Sequence, residues 1–379
     1  MTADQKKIKI LFTIPNFDTA GSGKVVYDLV RGLNPERFEV HIACQHDRGA
    51  FFKEVEALGM PVHIINTTVN YRPYTALLKR LKPLIRFFKV QQFDIIHSWH
   101  WSSDWTEALA ARLAGVPWIY TKKAMSWGNK HWHIRSLLAH YIITINDQMY
   151  DFFPWKKQQK LIPLGIDTRY YAPKKVLAPE APVEDAVFRI ITVANLVPVK
   201  GVEVLINALH QLQDAKVKLM VLGDDTGDYG QNLKALCKTL GVEQQVDFLG
   251  KQPDVRPYLA MANVYVIPTL NEGRREGMPM ALVEAMSMGV PVLGSGIAGV
   301  NYVLRGFPGL LFQAGNVEEL VEKLRVRMQC SKEQNSKLGQ ALRTYCEEHF
   351  SYKLFIKRHE TLYLDILEKK VSNRQVEHV

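Results

Sequence analysis

Short apolar runs alternate along this chain with segments whose apolar residues recur at helical spacing. This alternation is typical of parallel α/β sheets, in which each strand is followed by a helix that covers the sheet. In the first half the predicted strands lie near Ile8–Ile14, Phe38–Ala43, Val62–Ile65, Asp94–His97, Pro117–Thr121, Tyr141–Ile145 and Leu161–Pro163. In the second half they lie near Phe188–Val193, Lys218–Leu222, Val246–Leu249, Val264–Ile267, Val290–Leu293 and Gly309–Phe312. The pattern therefore predicts an α/β protein with two parallel sheets.

A segment rich in Pro, Ala and Lys, Asp167–Glu184, separates the two sets of strands and is the candidate linker. A chain of 379 residues, 47% hydrophobic and 23% charged, is long enough to bury two cores. Near the end, Ser331–Lys370 reads as largely helical. Ligands of open α/β sheets bind outside the carboxyl ends of the strands, and two such domains facing each other would leave a cleft for them.

The positive charge of the chain is concentrated in its first half. Of the net charge of +10, residues 1–165 carry +9, with 22 Lys and Arg against 13 Asp and Glu. Such asymmetry suggests an anionic partner for this half, either a membrane surface, an anionic saccharide or nucleic acid. No zinc finger, aromatic strand motif or basic zipper is recognisable, so we expect no nucleic-acid partner.

One segment of the first half, Tyr74–Lys89, mixes five cations with Leu, Ile and Phe. It reads as a basic amphipathic helix, with a kink expected at Pro83, that would meet an anionic membrane surface. The alternative is that its apolar residues pack the helix on its own sheet, with the cations as the solvated face. Those apolar residues, which have helical spacing, are Leu77, Leu81, Leu84, Ile85 and Phe88.

The sequence also bears on location. No apolar run reaches the length of about eighteen residues typical of a spanning helix, and no leader pattern is recognisable. The four scattered cysteines show neither metal spacing nor a paired framework, which fits a reducing compartment. We expect a cytoplasmic protein that binds peripherally to the inner face of the cell membrane.

The strongest local signal is a pair of glutamates, Glu276 and Glu284, on either side of a predicted helix start at Pro279. The first helical N–H groups, those of Met280 and Ala281, lack intrahelical partners and lie at the positive end of the helix dipole. They suit an anion such as a diphosphate, while the carboxylates could accept hydrogen bonds from sugar and ribose hydroxyls. The segment predicts a nucleotide-sugar site.

The glutamate pair, its Gly277-Met278-Pro279 insert and the trailing Glu284-Ala285-Met286 and Gly289-Val290-Pro291-Val292 resemble a family signature. The resemblance is to retaining glycosyltransferases of the large family 4, which include bacterial enzymes of capsule, lipopolysaccharide and glycolipid synthesis. It implies the GT-B fold, two Rossmann-like domains facing a central cleft. The acceptor domain would span residues 1–165 and the donor domain 166–354, with a helix at about 355–379 packing back on the first domain.

The resemblance also implies roles in the second half. Glu276 would bind the sugar and Glu284 the ribose of the donor, which we expect to be a UDP-sugar. Lys200 matches a family lysine that grips the diphosphate, but Asn195 stands where the family has arginine, so a bidentate grip is missing. The remaining donor contacts implied by the resemblance are Leu249, beside the base, and Met278, Pro279, Met280 and Ala281.

In the first half, Gly21, Ser22 and Gly23 form a predicted loop before a helix starting at Val25, where the family approaches the donor phosphate. A structural turn is the alternative. Lys123 falls near a family histidine that contacts the donor sugar, although Lys122 and Lys123 together also fit a solvated pair.

His97 and His100 end a predicted strand and could line the acceptor side, or simply be packed. With no convincing ligand spacing, we expect neither a metal nor a cofactor beyond the donor substrate.

The implied activity is transfer of a hexose from a nucleotide diphosphate to a hydroxyl of a saccharide or lipid-linked acceptor, with retention at the anomeric carbon. Glu276, Lys200 and Lys123 are the expected catalytic residues. Three departures from the family, at Lys123, Asn195 and Tyr302, keep open an alternative: a catalytically weak nucleotide-sugar-binding or scaffold protein.

Overall fold

The computed structural model describes residues 6–18, 20–125, 127–173, 187–273 and 276–376. It divides the chain into two compact units. The first comprises Met1–Lys123, Trp127–Gly165 and Lys353–Val379, and the second comprises Ala124–Ser126 and Ile166–Tyr352. Most of the expected linker, residues 174–184, lies outside the described residues.

In its described part, the first unit is a parallel sheet of seven strands in the order β3-β2-β1-β4-β5-β6-β7. The strands are β1 (Ile8–Thr13), β2 (Phe38–Cys44), β3 (Val62–Ile64), β4 (Ile95–Ser98), β5 (Trp118–Lys122), β6 (Tyr141–Thr144) and β7 (Gln159–Leu161). Its helices are α1 (Ala20–Gly32), α2 (Ala50–Glu56), α3 (Leu77–Gln91), α4 (Thr106–Ala114) and α5 (His131–Leu138).

The second unit is built in the same way, with six parallel strands among its described residues in the order β10-β9-β8-β11-β12-β13. The strands are β8 (Phe188–Val193), β9 (Val217–Leu222), β10 (Val246–Phe248), β11 (Val264–Ile267), β12 (Val292–Ser295) and β13 (Leu311–Phe312). Its helices are α6 (Val202–Leu212), α7 (Asp228–Leu240), α8 (Arg256–Met261), α9 (Met280–Ser287), α10 (Ala298–Val303), α11 (Val317–Gln329) and α12 (Lys332–Phe350).

The last helix, α13 (Tyr352–Val376), belongs to the first unit from Lys353 onward. Glu360 accepts a hydrogen bond of 2.8 Å from the Asn34 N–H, and the Tyr363 hydroxyl lies 2.8 Å from Nδ1 of His97 on β4. The expectation of a largely helical Ser331–Lys370 is confirmed, with a break at Ser351.

All thirteen predicted strands are present with bounds within two residues of those expected, which confirms the α/β class. The loop predicted at Gly21, Ser22 and Gly23 is wrong, because α1 already begins at Ala20 and includes them in its first turn. Glycine is a weak helix former, which is why the pattern placed the start later. Gly23 packs against the Phe17 ring, and a Cβ on residue 23 would lie only 3.1 Å from a carbon of that ring.

The packing alternative for Tyr74–Lys89 is confirmed for its apolar residues. Helix α3 runs through Pro83 and buries Leu77, Leu81, Leu84 and Phe88 in the core of the first unit. Its exposed cations are Lys79, Lys82, Arg86 and Lys89. Leu78 and Val90 of the same helix are also exposed, at 61% and 68%, so the solvent-facing side of α3 carries both cations and apolar side chains.

Candidate functional site

The second unit carries a pocket of about 260 Å³ at the carboxyl ends of β8 and β11. These strands are neighbours at the point where the strand order reverses, with β9 on one side and β12 on the other. Such a switch point opens a crevice in parallel sheets. The lining residues are Thr192, Val193, Ala194, Asn195, Lys200, Ile267, Pro268, Thr269, Glu276, Pro279, Met280 and Ala281.

One wall of the pocket is the beginning of α9. Pro279 precedes the helix in an extended conformation, with φ −80° and ψ 106°, and no side chain among the described residues caps this end. Pro279 is thus the residue before the first turn rather than part of it. The N–H groups of Met280 and Ala281 belong to the first turn, where the helix has no carbonyl to offer them. The wall presents backbone donors and a positive dipole end to the pocket.

Lys200 and Glu276 form an ion pair in this pocket. Their side chains are only 15% and 30% exposed, respectively. Lys200 ends a 3-10 turn, Pro198–Lys200, rather than opening α6 directly. The turn is fixed to the segment that follows β11 by a hydrogen bond of 2.8 Å from the Leu270 N–H to the Val199 carbonyl. A cation and an anion are therefore held side by side where a charged ligand would enter.

Gly201 makes this placement of Lys200 feasible. Its φ of +63° is left-handed, and a Cβ at this position would collide with the Pro268 carbonyl oxygen. A glycine is needed both for the turn and for its close approach to the end of β11. On the opposite side, Gly299 packs against the backbone at Glu276, where a Cβ would be 2.8 Å from the carbonyl oxygen.

Glu284 lies farther along α9 and is not among the residues that line the pocket. Its side chain is half-buried. Burial raises the pKa of Glu284 to about 7, Asp254 adds to this rise, and a hydrogen bond with Tyr171 opposes it. The carboxyl group therefore changes its charge near neutral pH.

Two further donor candidates, Met278 and Leu249, lie outside the pocket lining in the second unit. Met278 is 6% exposed. Leu249 follows β10, and its N–H donates to the Val221 carbonyl at 2.9 Å. Neither lines the pocket.

Lys123 follows β5 in the first unit. Its ammonium group donates to the Trp99 carbonyl at 2.5 Å and lies 5.6 Å and 5.5 Å from the ring centroids of Trp99 and Trp101. These contacts fix the cation at the carboxyl end of the sheet. They also show that Lys123 is not simply a solvated lysine.

His97 has no exposed surface, which removes it from the acceptor side. Its Nδ1 lies 2.8 Å from the Tyr363 hydroxyl and its Nε2 2.8 Å from Oγ1 of Thr121. Burial lowers its pKa well below the ordinary value, so the ring is neutral. The packed alternative applies to this histidine.

His100 is 4% exposed, and its Nε2 lies 2.9 Å from Oγ1 of Thr67. Burial lowers its pKa to about 4. It belongs to a buried polar cluster in which Glu107 accepts hydrogen bonds from Ser98 at 2.6 Å and Trp118 at 3.2 Å. Its neutral ring is a part of this cluster.

The pocket thus brings together six of the residues chosen from the sequence, namely Asn195, Lys200, Glu276, Pro279, Met280 and Ala281. Sequence reasoning missed Thr192 and Thr269, which also line it. The signal for both was available, because each stands at or just beyond the carboxyl end of a predicted strand.

Across the described parts of the chain, no helix has the length and apolar character needed to cross a bilayer. In the same residues, no three His, Cys, Asp or Glu side chains come together as a metal ligand set. The expectation of a metal-free site stays a prediction.

Two family models match the chain in succession. The model for glycosyltransferase family 4 matches residues 19–170, and the model for glycosyl transferases group 1 matches residues 178–344. Each match corresponds closely to one unit of the fold. The crystal structure of Anabaena HepE in complex with UDP and glucose superposes with a TM-score of 0.76 at 20% identity, over 94% of this chain and 99% of that one.

Among curated proteins, the N-acetyl-alpha-D-glucosaminyl L-malate synthase of Bacillus anthracis is 28% identical over 53% of this chain. The chain spans about half the length of this relative, with 52% of it aligned. The UDP-Gal:alpha-D-GlcNAc-diphosphoundecaprenol alpha-1,3-galactosyltransferase of Escherichia coli is 23% identical, over 98% of this chain and 100% of the relative. Because two family models match the chain in succession and its fold is GT-B, the chain belongs to the group 1 glycosyltransferases of the family 4 type.

Proposed function

We propose that this protein is a retaining glycosyltransferase that moves a hexose from a nucleotide diphosphate sugar to a hydroxyl of a saccharide or lipid-linked acceptor. The observation that carries the proposal is the pocket of the second unit, where Lys200 and the first turn of α9 converge. A lysine and unpaired helix N–H groups are suited to a diphosphate, because both favour negative charge.

Each neighbouring side chain then has a chemical role. Glu276, at the pocket wall, accepts hydrogen bonds from sugar hydroxyls. Glu284 accepts them from the ribose, and the backbone near Leu249 meets the base. The structure of HepE in complex with UDP and glucose and the name of the Escherichia coli UDP-Gal galactosyltransferase support a UDP-sugar as the donor. No cofactor beyond this donor substrate is proposed.

The chemical step breaks the bond between the anomeric carbon and the diphosphate oxygen. The acceptor oxygen forms its new bond on the same face of the sugar, and its proton passes to the departing phosphate. Negative charge grows on the diphosphate in this step, so preorganised donors such as Lys200 and the α9 N–H groups lower the barrier. Lys123, fixed at the end of β5, is proposed as a further cation for the sugar or the leaving phosphate.

The first unit is proposed to take the acceptor in cell-surface polysaccharide or glycolipid synthesis. Gly21, Ser22 and Gly23 offer the first-turn N–H groups of α1 to a donor phosphate or the acceptor. A lipid-linked acceptor is supported by the name of the Escherichia coli relative, which includes diphosphoundecaprenol. The charge of residues 1–165, +9, supports peripheral attachment to an anionic membrane from the cytoplasm.

The test is incubation with radiolabelled UDP-, GDP- and ADP-sugars, followed by detection of free sugar or labelled glycolipid. A glycosyltransferase hydrolyses its own donor slowly even without acceptor, so one of the donors should release sugar. Proton NMR of the product made with added acceptor then reports whether the anomeric configuration is retained. No release and no transfer from any donor would contradict the proposal.

A second candidate, a catalytically weak nucleotide-sugar-binding protein, is favoured by one observation. Asn195 lines the pocket at the place where the family resemblance calls for arginine. Asparagine donates neutral hydrogen bonds, which are about half as strong as charge-assisted ones. Nucleotide binding without any sugar release in the same assay would support this candidate.

A further inference from the structure

The segment from Thr168 to Tyr171 is tied to helix α9, which carries Glu284. The Ser287 hydroxyl donates to the Tyr171 carbonyl at 2.8 Å. Arg343 donates to the same carbonyl at 2.9 Å and to the Thr168 carbonyl at 3.1 Å. It also donates to the Ser287 carbonyl at the end of α9. One guanidinium thus holds the segment and the helix together.

This attachment presents the side chain of Tyr171 to Glu284. The Tyr171 hydroxyl hydrogen-bonds with the Glu284 carboxylate. Burial and the adjacent carboxylate raise the pKa of Tyr171 well above its ordinary value, so the hydroxyl keeps its proton. It can therefore only be the donor in this contact when Glu284 is ionised.

We propose that Tyr171 is the positioning residue of Glu284, and that its hydroxyl orients the carboxylate toward the ribose hydroxyls of the donor. The ligand in this inference rests on the proposed function, whereas the coupling of the two side chains does not. A ribose hydroxyl donates its proton to a carboxylate, so Glu284 must be ionised and correctly turned to bind it. The tyrosine favours the ionised form, because its hydrogen bond lowers the pKa of Glu284, and it fixes the direction of the carboxylate.

Other charged groups near Glu284 affect its pKa or are affected by its charge, and Tyr171 acts together with them. Asp254 raises the pKa of Glu284, although Asp254 is itself paired with Arg256 at 2.5 Å. The buried Tyr265 of β11 lies close enough for Glu284 to raise its pKa. From α12, the Arg343 guanidinium is paired with Glu347 at 2.6 Å. Tyr171 opposes the effects of burial and of Asp254.

The test compares wild type with Tyr171→Phe, which keeps the ring and removes the hydroxyl. Tyr170→Phe is the matched control. The Tyr170 ring is adjacent in sequence but packs against Arg256, whose guanidinium carbon lies 3.5 Å from the ring centroid. Without the Tyr171 hydroxyl the pKa of Glu284 should rise by about one unit, the equivalent of a hydrogen bond to a charged group. Tyr170→Phe should leave it unchanged.

The first measurement is denaturant unfolding between pH 5 and pH 9, with no ligand. Folding raises the pKa of Glu284 from 4.5 to about 7, so the folded state binds more protons than the unfolded state between these two pKa values. The free energy of unfolding therefore falls as pH rises from 4.5 to about 7. In Tyr171→Phe the fall should extend to about pH 8, as the one-unit shift requires. In a Glu284→Gln background, Tyr171→Phe should have no effect on the pH dependence.

The second measurement is calorimetric titration with UDP between pH 6 and pH 8.5. Tyr171→Phe should weaken UDP binding about fivefold at pH 7, because the ionised fraction of Glu284 falls by that factor when its pKa rises from about 7 by one unit, and less at pH 8.5, where Glu284 is mostly ionised in both proteins. An unchanged unfolding profile would overturn the coupling. A shifted profile with unchanged UDP affinity would overturn the role at the ribose. A wild type that binds no nucleotide would count against the proposed function, while a shifted unfolding profile would still support the coupling.

Discussion

Lys200 and Glu276 stand in contact at the pocket, and a bound diphosphate would compete with Glu276 for the lysine. Ion pairs that reach solvent contribute about 0 to 1 kcal/mol to folding. The pair therefore matters more for the charge of the pocket than for stability. It keeps Lys200 in place and at the same time places a negative charge next to the expected diphosphate.

Replacing Glu276 should separate binding from transfer. In Glu276→Gln, Lys200 loses its competing anion, so UDP should bind several-fold more tightly. Transfer should fall about ten- to a hundredfold in kcat/KM, because a charge-assisted contact to the sugar is lost. The checks are calorimetry with UDP and donor kinetics. Glu272→Gln, at an exposed position four residues earlier, is the control and should behave as wild type. Weaker UDP binding in Glu276→Gln would contradict the account.

Donor binding should depend on pH through Glu284. Its pKa of about 7 means that the ionised form, which is proposed to accept ribose hydrogen bonds, gains population as pH rises from 6 to 8. The donor kcat/KM should rise over this range in wild type and be low and flat in Glu284→Gln. The measurement is the pH profile of both proteins at subsaturating donor. An equal rise in both would show that another group titrates.

At this scale the sequence singled out six residues that the structure gathers in one pocket, whereas it left open whether the histidines are packed or line the acceptor side. Glu276 and Lys200 are recognisable because each lies next to a strand end or helix start. The setting of His97 depends on Tyr363, 266 residues later, and no local pattern contains that contact. Tyr171 was missed for the same reason, since Arg343 and Ser287 hold it from distant elements.

At the level of elements, the pocket depends on a tight turn between β8 and α6. Gly201 needs its left-handed φ of +63°, and its missing side chain lets the turn approach the Pro268 carbonyl. Gly241 has a similar φ of +68° at the end of α7, but a Cβ there would meet nothing within 4 Å. Comparing substitutions at the two glycines therefore separates the cost of the left-handed backbone from the cost of the collision with the Pro268 carbonyl.

Gly201→Ala should destabilise the protein more than Gly241→Ala. The left-handed conformation costs either alanine about 1 to 2 kcal/mol. The collision with Pro268 should add about 1 to 3 kcal/mol for Gly201→Ala, and displacement of Lys200 should lower transfer. Denaturant unfolding and donor kinetics are the measurements. Equal losses of stability in the two variants would show that the turn can move away from β11.

The order and type of elements followed from the sequence because strand-like runs are short, apolar and well separated by turn residues. The start of α1 did not follow from the sequence, since Gly21 and Gly23 weaken the helical pattern of its first turn. Packing of Gly23 on Phe17 explains this glycine, and that contact is not visible in the helical pattern.

For the whole molecule, the uneven charge predicts salt-sensitive attachment to anionic membranes. The four exposed cations of α3 should each contribute about 1 kcal/mol near an anionic surface. Sedimentation with anionic vesicles at low salt should therefore exceed that with neutral ones, and salt should reduce it.

Lys82→Glu with Arg86→Glu should weaken this sedimentation. The matched pair Lys216→Glu and Lys251→Glu, at exposed positions of the second unit, should not. Equal binding to both kinds of vesicle would contradict electrostatic attachment and favour a soluble acceptor.

The central claim is that Lys200 and the first turn of α9 hold the diphosphate of a sugar donor. Its most direct test is the donor kcat/KM of Lys200→Ala against that of Lys216→Ala, with folding verified for both. We predict a loss of about ten- to a hundredfold for Lys200→Ala, the value of one charge-assisted contact, and none for Lys216→Ala. A Lys200→Ala protein with wild-type kcat/KM would contradict the account.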